Sequence, residues 1–268
     1  MSLLARLADR LILYPTRAAL PAVGKRRRLV AWDRGNAEVW IHTANGDDEG
    51  GAGSVSDGGG AGPADLYLLK LSGNAGRAEL TGDWPATAWP EKRVEIWSCN
   101  PPGYGGSSGA ARMRDFPPAL SAVYAALKAE AAGRPILVMG TSLGGCGALY
   151  LAAAHDPAGA ILRNPAPLGE FIRGEFCAIT LGAARLIARQ VPPPLDAVRQ
   201  AARARAPAIF VMAMRDTVIP TEYQQRIFDA YAGDKRLIQL EDADHADPPA
   251  LDEQEAIEAA CREMFAWP

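Results

Sequence analysis

The sequence predicts an α/β fold, a mostly parallel sheet of eight strands with helices on both faces, and three observations carry that expectation. Short apolar runs recur along the chain: Leu66–Leu71 (LYLLKL), Val94–Cys99 (VEIWSC), Ile136–Met139 (ILVM) and Ile209–Met214 (IFVMAM). Runs of this length without polar alternation suit strands covered on both faces. Helical stretches separate them, as at Phe116–Ala132, and strand–helix alternation is the mark of parallel crossover units. Finally, Ile136–Met139 runs through Gly140-Thr141-Ser142-Leu143-Gly144 into small helix-forming residues, so the chain reads strand, sharp turn, helix.

Taken in order, Leu3, Leu4, Leu7 and Leu11 share one helical face. The expectation is a helix packed on the protein's own core, preferred to one lying on a membrane surface. Lys25-Arg26-Arg27-Arg28 reads as a solvated basic loop rather than a binding patch. Strands follow at Leu29–Trp32 and Ala37–Thr43, joined by a hairpin turn at Asp33-Arg34-Gly35-Asn36. Residues 45–63, nearly all Gly, Ser, Asp and Ala, bury nothing and read as a flexible loop. After Leu66–Leu71, Val94–Cys99 and the helix Phe116–Ala132, ended by Gly133 and Pro135, the central turn opens a helix that stops at His155-Asp156-Pro157. Ala160–Arg163 is the next strand. Residues 168–206 turn helical and read as a small cover inserted over one sheet edge. Ile209–Met214 then leads to a helix from Thr221, with Thr221 and Gln224 as a capping box. Leu237–Leu240 and the helix Asp252–Trp267 close the chain. No second domain is expected within residues 1–268.

Composition narrows the function classes. A net charge of −3 gives no whole-chain field for nucleic acid. The four cysteines, Cys99, Cys146, Cys177 and Cys261, lack metal-site spacing, and free thiols fit a reducing, cytoplasmic setting. The N-terminal apolar run is interrupted by Arg6, Asp9 and Arg10, so neither a membrane span nor a signal peptide is expected. No metal or organic cofactor is implied.

Catalytic groups in parallel sheets sit on loops at the carboxyl ends of strands, here the loops beginning at Ser72, Asn100, Thr141, Asn164, Arg215 and Glu241. Gly-x-Ser-x-Gly between strand and helix presents a serine on a strained turn, and the flanking glycines allow strand and helix to touch. A glycine-rich turn alone is the plainer reading. A serine becomes a nucleophile when a base takes its proton, usually a histidine oriented by a carboxylate. Of three histidines, His42 lies in an early strand and His155 at a helix end, where a cation complements the dipole. His245 follows the last strand and is the candidate base. Asp216, directly after Ile209–Met214, is the preferred orienting acid. Asp242, Asp244 and Asp247 are rivals too close along the chain to point back at the ring.

Four motifs at matching strand ends resemble the α/β-hydrolase superfamily of serine hydrolases, from about Leu66 to the C-terminus. Ser72-Gly73-Asn74-Ala75-Gly76 is similar to the His-Gly-Asn-Ala-Gly oxyanion loop of an esterase and lysophospholipase-like branch, with serine in place of histidine. Pro102-Gly103-Tyr104-Gly105-Gly106-Ser107 resembles that branch's Gly-Tyr-Gly-x-Ser loop. Gly140–Gly144 is the nucleophile elbow, and Asp216 with Val218 to Pro220 resembles the acid motif Asp-x-x-Val-Pro. The resemblance implies Ser142, Asp216 and His245 as catalytic residues, with the backbone N–H groups of Asn74 and Leu143 as the oxyanion hole. It also implies cleavage of a small acyl substrate, an ester or thioester, through an acyl-enzyme. A non-catalytic ligand-binding or scaffold member and a peripheral membrane lipase are the alternatives. Substrate identity and oligomeric state do not follow from the sequence.

Overall fold

The computed structural model describes residues 2–45 and 63–266. The expected flexible loop thus lies, from 46 to 62, outside the described residues, as does Trp267 at the end of the last expected helix. Eight strands form one sheet in the order β1-β2-β4-β3-β5-β6-β7-β8. They are β1 (Arg26–Trp32), β2 (Gly35–Ala44), β3 (Leu66–Leu71), β4 (Val94–Asn100), β5 (Ile136–Thr141), β6 (Gly159–Arg163), β7 (Ala208–Ala213) and β8 (Lys235–Leu240). Among the described residues only the β1–β2 and β2–β4 pairs are antiparallel. From β4 onward every pair is parallel. Strand order reverses between β3 and β5, which opens a crevice beyond their carboxyl ends.

Strands buried on both faces explain the unbroken apolar runs. Ile136 and Val138 of β5 join one core, shared with α2 (Phe116–Ala131) and α3 (Leu143–His155). Leu137 and Met139 join the core under α8 (Leu251–Met264). Lys70 breaks this pattern on β3. Its ammonium is buried and donates to the carbonyls of Gly82 (2.7 Å) and Trp84 (2.5 Å). Burial, reinforced by Lys25, lowers its pKa from 10.5 to about 8. Below pH 8 the folded and unfolded chains both hold the proton, and the folded one bears the desolvation cost. Between the two values the unfolded chain binds more protons, so stability rises with pH. Urea unfolding of wild type is therefore expected to gain about 2 kcal/mol, relative to Lys70→Met, between about pH 7 and about pH 9.5. Parallel pH profiles for the two proteins would refute this.

Three expectations are corrected. The basic cluster is not a free loop: β1 begins at Arg26, and Lys25, Arg27 and Arg28 find partners. Arg27 pairs with the buried Glu38 at 2.6 Å, Arg28 with Glu130 at 3.1 Å, and the Lys25 ammonium donates to the Glu79 carbonyl at 2.9 Å. The N-terminal helix α1 (Leu3–Ile12) buries Ala8 and Asp9, not its leucines. Gln224 does not cap α7 (Thr221–Ala230); no side-chain cap bond forms there, and its amide turns inward. Residues 168–206 hold α4 (Leu168–Phe176), α5 (Ala184–Ala188) and α6 (Ala197–Ala201), and α1 packs against α5.

Candidate functional site

The turn after β5 places Ser142 at φ 53°, ψ −117°, a left-handed backbone that costs a non-glycine residue about 1–3 kcal/mol. Its neighbours hold it there. The Ser142 N–H donates to Arg163 O at the end of β6 (2.9 Å), and the Gly145 N–H donates to Ser142 O (2.9 Å). A methyl group on Gly140 would strike the Gly144 carbonyl, and one on Gly144 would strike the Leu71 carbonyl. Strand, helix and the loop after β3 therefore meet at the two glycines, which is why that spacing is required.

Asp216, buried at the end of β7, accepts four N–H groups. Val218 N (2.9 Å) and Ile219 N (2.7 Å) occupy Oδ1, while Gln224 Nε2 (2.8 Å) and His245 Nδ1 (2.6 Å) occupy Oδ2. A carboxylate only accepts, so the imidazole carries its proton on Nδ1 and leaves Nε2 free to take one. The rival acids are engaged elsewhere. Asp242 pairs with Arg215, Asp244 accepts from the Thr217 N–H and hydroxyl, and Asp247 Oδ2 accepts the Asp244 N–H. His42 binds Asp83 at 3.0 Å. His155 bonds the Ser121 hydroxyl at 2.9 Å and stacks on Tyr124; burial lowers its pKa, which disfavours the dipole-complementing cation expected at that helix end.

Ser142 and His245 reach the same sheet edge through β6. Asn164, one residue past that strand, is fully buried; its Nδ2 donates to His245 O (2.9 Å) and its Oδ1 accepts from Ala213 N (2.9 Å). Arg163 bonds the carbonyl of Asp247. The Ser142 hydroxyl itself makes no hydrogen bond to the imidazole among the described residues. Such bonds commonly tighten only when substrate arrives.

On the other side, a carbon added to Gly73 would lie 3.4 Å from Ser142 Cβ, so the loop after β3 abuts the serine. The Leu143 and Asn74 N–H groups have no acceptor among the described residues. Leu143 opens α3, where unpaired N–H groups and the helix dipole favour anionic charge. The side chain of Asn74 is fixed from two directions. Tyr104 OH and Tyr14 N donate to its Oδ1, each at 2.9 Å, and its Nδ2 donates to Ile12 O at 2.5 Å. Burial pushes the Tyr104 phenol up to about 12, so it keeps the proton it donates. An apolar cavity of about 30 Å³ adjoins Gly73 and Leu143, bounded by Leu71, Phe116, Leu120 and Leu195. Among the described residues no group of three or more His, Cys, Asp and Glu is placed to hold a metal ion.

Sequence reasoning missed Gln224, Asn164 and Tyr104 as supports of these groups. Tyr104 and Asn164 do stand on loops at strand carboxyl ends, and Tyr104 also lies in the Gly-Tyr-Gly-x-Ser resemblance; these are the signals that could have marked them. Nothing local marks Gln224, whose spacing from Thr221 suggests a cap.

No family model matches the chain. It is 28% identical over 260 residues to the uncharacterized protein Rv2307c of Mycobacterium tuberculosis, spanning 94% of this chain and 85% of that one. The esterase Pf2001 of Pyrococcus furiosus superposes with a TM-score of 0.66 at 13% identity, over 95% of this chain and 98% of its own. Est1E from Butyrivibrio proteoclasticus, with ferulic acid bound, gives 0.67 at 16% identity, over 90% and 100%. With the strand order above, these likenesses show that the chain has the α/β-hydrolase fold.

Proposed function

We propose that the protein is a serine hydrolase that cleaves a carboxylic ester or thioester through an acyl-enzyme. The observation that carries this reading is the 2.6 Å bond from His245 to Asp216 at the same sheet edge as the strained Ser142. His245 Nε2 takes the Ser142 proton as Oγ attacks the acyl carbon, and the oxyanion develops against the N–H groups of Leu143 and Asn74. Collapse of the tetrahedral adduct expels the alcohol or thiol, which receives the proton from His245. Water, deprotonated by the same imidazole, then releases the acid and restores the serine.

The loop Ser72–Gly76 and the Tyr104 contact support placement in the esterase and lysophospholipase-like branch. The cavity beside the oxyanion donors is lined by Leu71, Phe116, Leu120 and Leu195, which favours an apolar acyl group over a charged one. Three of the four cysteines are buried free thiols, which suits a reducing cytoplasm. Esterases among the structural neighbours agree with the assigned chemistry. A fluorophosphonate probe is expected to label the folded protein once per chain, with the adduct on the peptide containing Ser142. Folded protein that stays unlabelled, or carries the label on another residue, would remove the reading.

A further inference from the structure

The N-terminal helix is inside out. Ser2 starts it properly, its hydroxyl accepting the Ala5 N–H at 3.1 Å, yet the large apolar side chains face solvent. Leu3, Leu7 and Leu11 are 82%, 46% and 54% exposed, while the inward face offers Ala8 and Asp9. A helix held only by its own core turns its leucines the other way. Ile12 anchors α1 on the insert, against Ile172, Ala184 and Ala188. The turn leading into α5, residues 176–184, reads FCAITLGAA and holds no charge. Within it Ile179 is 76% and Leu181 97% exposed. Two neighbouring elements thus present large apolar groups to solvent, which single soluble chains seldom do without an interaction partner.

Charge selects among partners. Arg6 and Arg10 stand exposed beside the leucines, and Arg185 is exposed on α5. None of the three forms a salt bridge among the described residues. The one acid of α1, Asp9, turns inward to accept the Met113 N–H at 3.0 Å. A second copy docked on this face by a two-fold axis would set arginine against arginine. An apolar face rimmed by unpaired arginines suits a layer of acyl chains beneath anionic headgroups. Tyr14, exposed just beyond the helix, is of the type that settles at headgroup level.

We propose that α1 and the neutral turn at 176–184 form a docking surface for an anionic lipid bilayer. The helix lies in the interface; no helix among the described residues is long and apolar enough to cross a membrane. Because Ile12 O and Tyr14 N both bond the Asn74 side chain, a docked bilayer lies close to the loop assigned to the oxyanion hole. Esters carried in the membrane would then be the nearest substrates.

The test is sedimentation of the full-length protein with phosphatidylcholine vesicles, with and without about 30% phosphatidylserine, at about 50 mM salt. Wild type is expected to bind the anionic vesicles. Leu7→Ser/Leu11→Ser should weaken partitioning by at least about tenfold with unchanged melting, since both side chains are exposed in the free protein. Arg6→Gln/Arg10→Gln should weaken it by about 30-fold on anionic vesicles only. Wild type that stays in the supernatant, or a leucine variant that binds as wild type does, would overturn the proposal. So would a leucine-dependent dimer without vesicle binding, which would make the partner a second copy. Vesicle binding involves no turnover, so its failure would leave the hydrolase reading standing.

Discussion

Ser142→Ala is expected to lower kcat/KM for p-nitrophenyl acetate by on the order of 10⁵-fold or more, with melting unchanged or slightly raised. The hydroxyl makes no hydrogen bond among the described residues, so its removal leaves no buried partner unsatisfied. Alanine keeps the Cβ that the turn already accommodates. What disappears is the atom proposed to form the acyl bond. Asp216→Asn tests the same chain of groups from its far end and should cost about 10⁴-fold. The new amide must still accept from Val218 N and Ile219 N, so its oxygen stays in the Oδ1 position. Its NH2 then faces His245 Nδ1, which becomes the acceptor, and the ring proton moves to Nε2. A protonated Nε2 cannot take the serine proton. Gln224 Oε1, buried and unbonded in the wild type, can rotate to accept the new NH2, so the variant should fold. Near-wild-type activity in Asp216→Asn would show that His245 does not depend on this carboxylate.

The sheet was legible because strands covered on both faces write themselves as apolar runs, and Leu66–Leu71 and Ile209–Met214 needed no tertiary information. The elbow was legible for a steric reason. Only glycine fits where strand, helix and the neighbouring loop cross, so the spacing of Gly140 and Gly144 records a three-body contact in five residues. Other features were hidden because partners distant in sequence decide them. That Leu3, Leu7 and Leu11 share a face is a property of the helix; which way the face turns depends on how Ile12 meets Ala184 and Ala188. Arg27 and Arg28 look like part of a loop until Glu38 and Glu130 are known to face them. Gln224 carries a sound local signal for a cap. The helix instead begins at Thr221 with Pro220 before it, which has no N–H for the Gln224 side chain to accept, and the amide turns to donate to the Asp216 carboxylate.

Gly144→Ala is expected to destabilise the protein by about 3 kcal/mol or more, lowering Tm by about 6–12 °C. The added carbon would overlap the Leu71 carbonyl and lie 2.6 Å from the Ser72 carbonyl oxygen. Both obstacles are backbone, so no rotamer change relieves them. Either α3 must slide along its axis or the chain after β3 must move outward. The first is resisted by Cys146, Ala148 and Leu149, which are completely buried in the main core. The second moves Ser72 and Gly73 away from Ser142 and drags Asn74 against its bonds to Ile12, Tyr14 and Tyr104. The substitution should therefore act on two observables at once. Protein that still folds should react more slowly with a fluorophosphonate, because one proposed oxyanion donor has shifted, a loss of about 10²-fold or more. Gly82→Ala is the control: nothing lies within 4 Å of its added carbon, so stability should change by no more than about 0.5 kcal/mol. If Gly144→Ala melts with wild type and reacts at the same rate, elbow and loop do not meet as closely as the contacts of Gly140, Gly144 and Gly73 require.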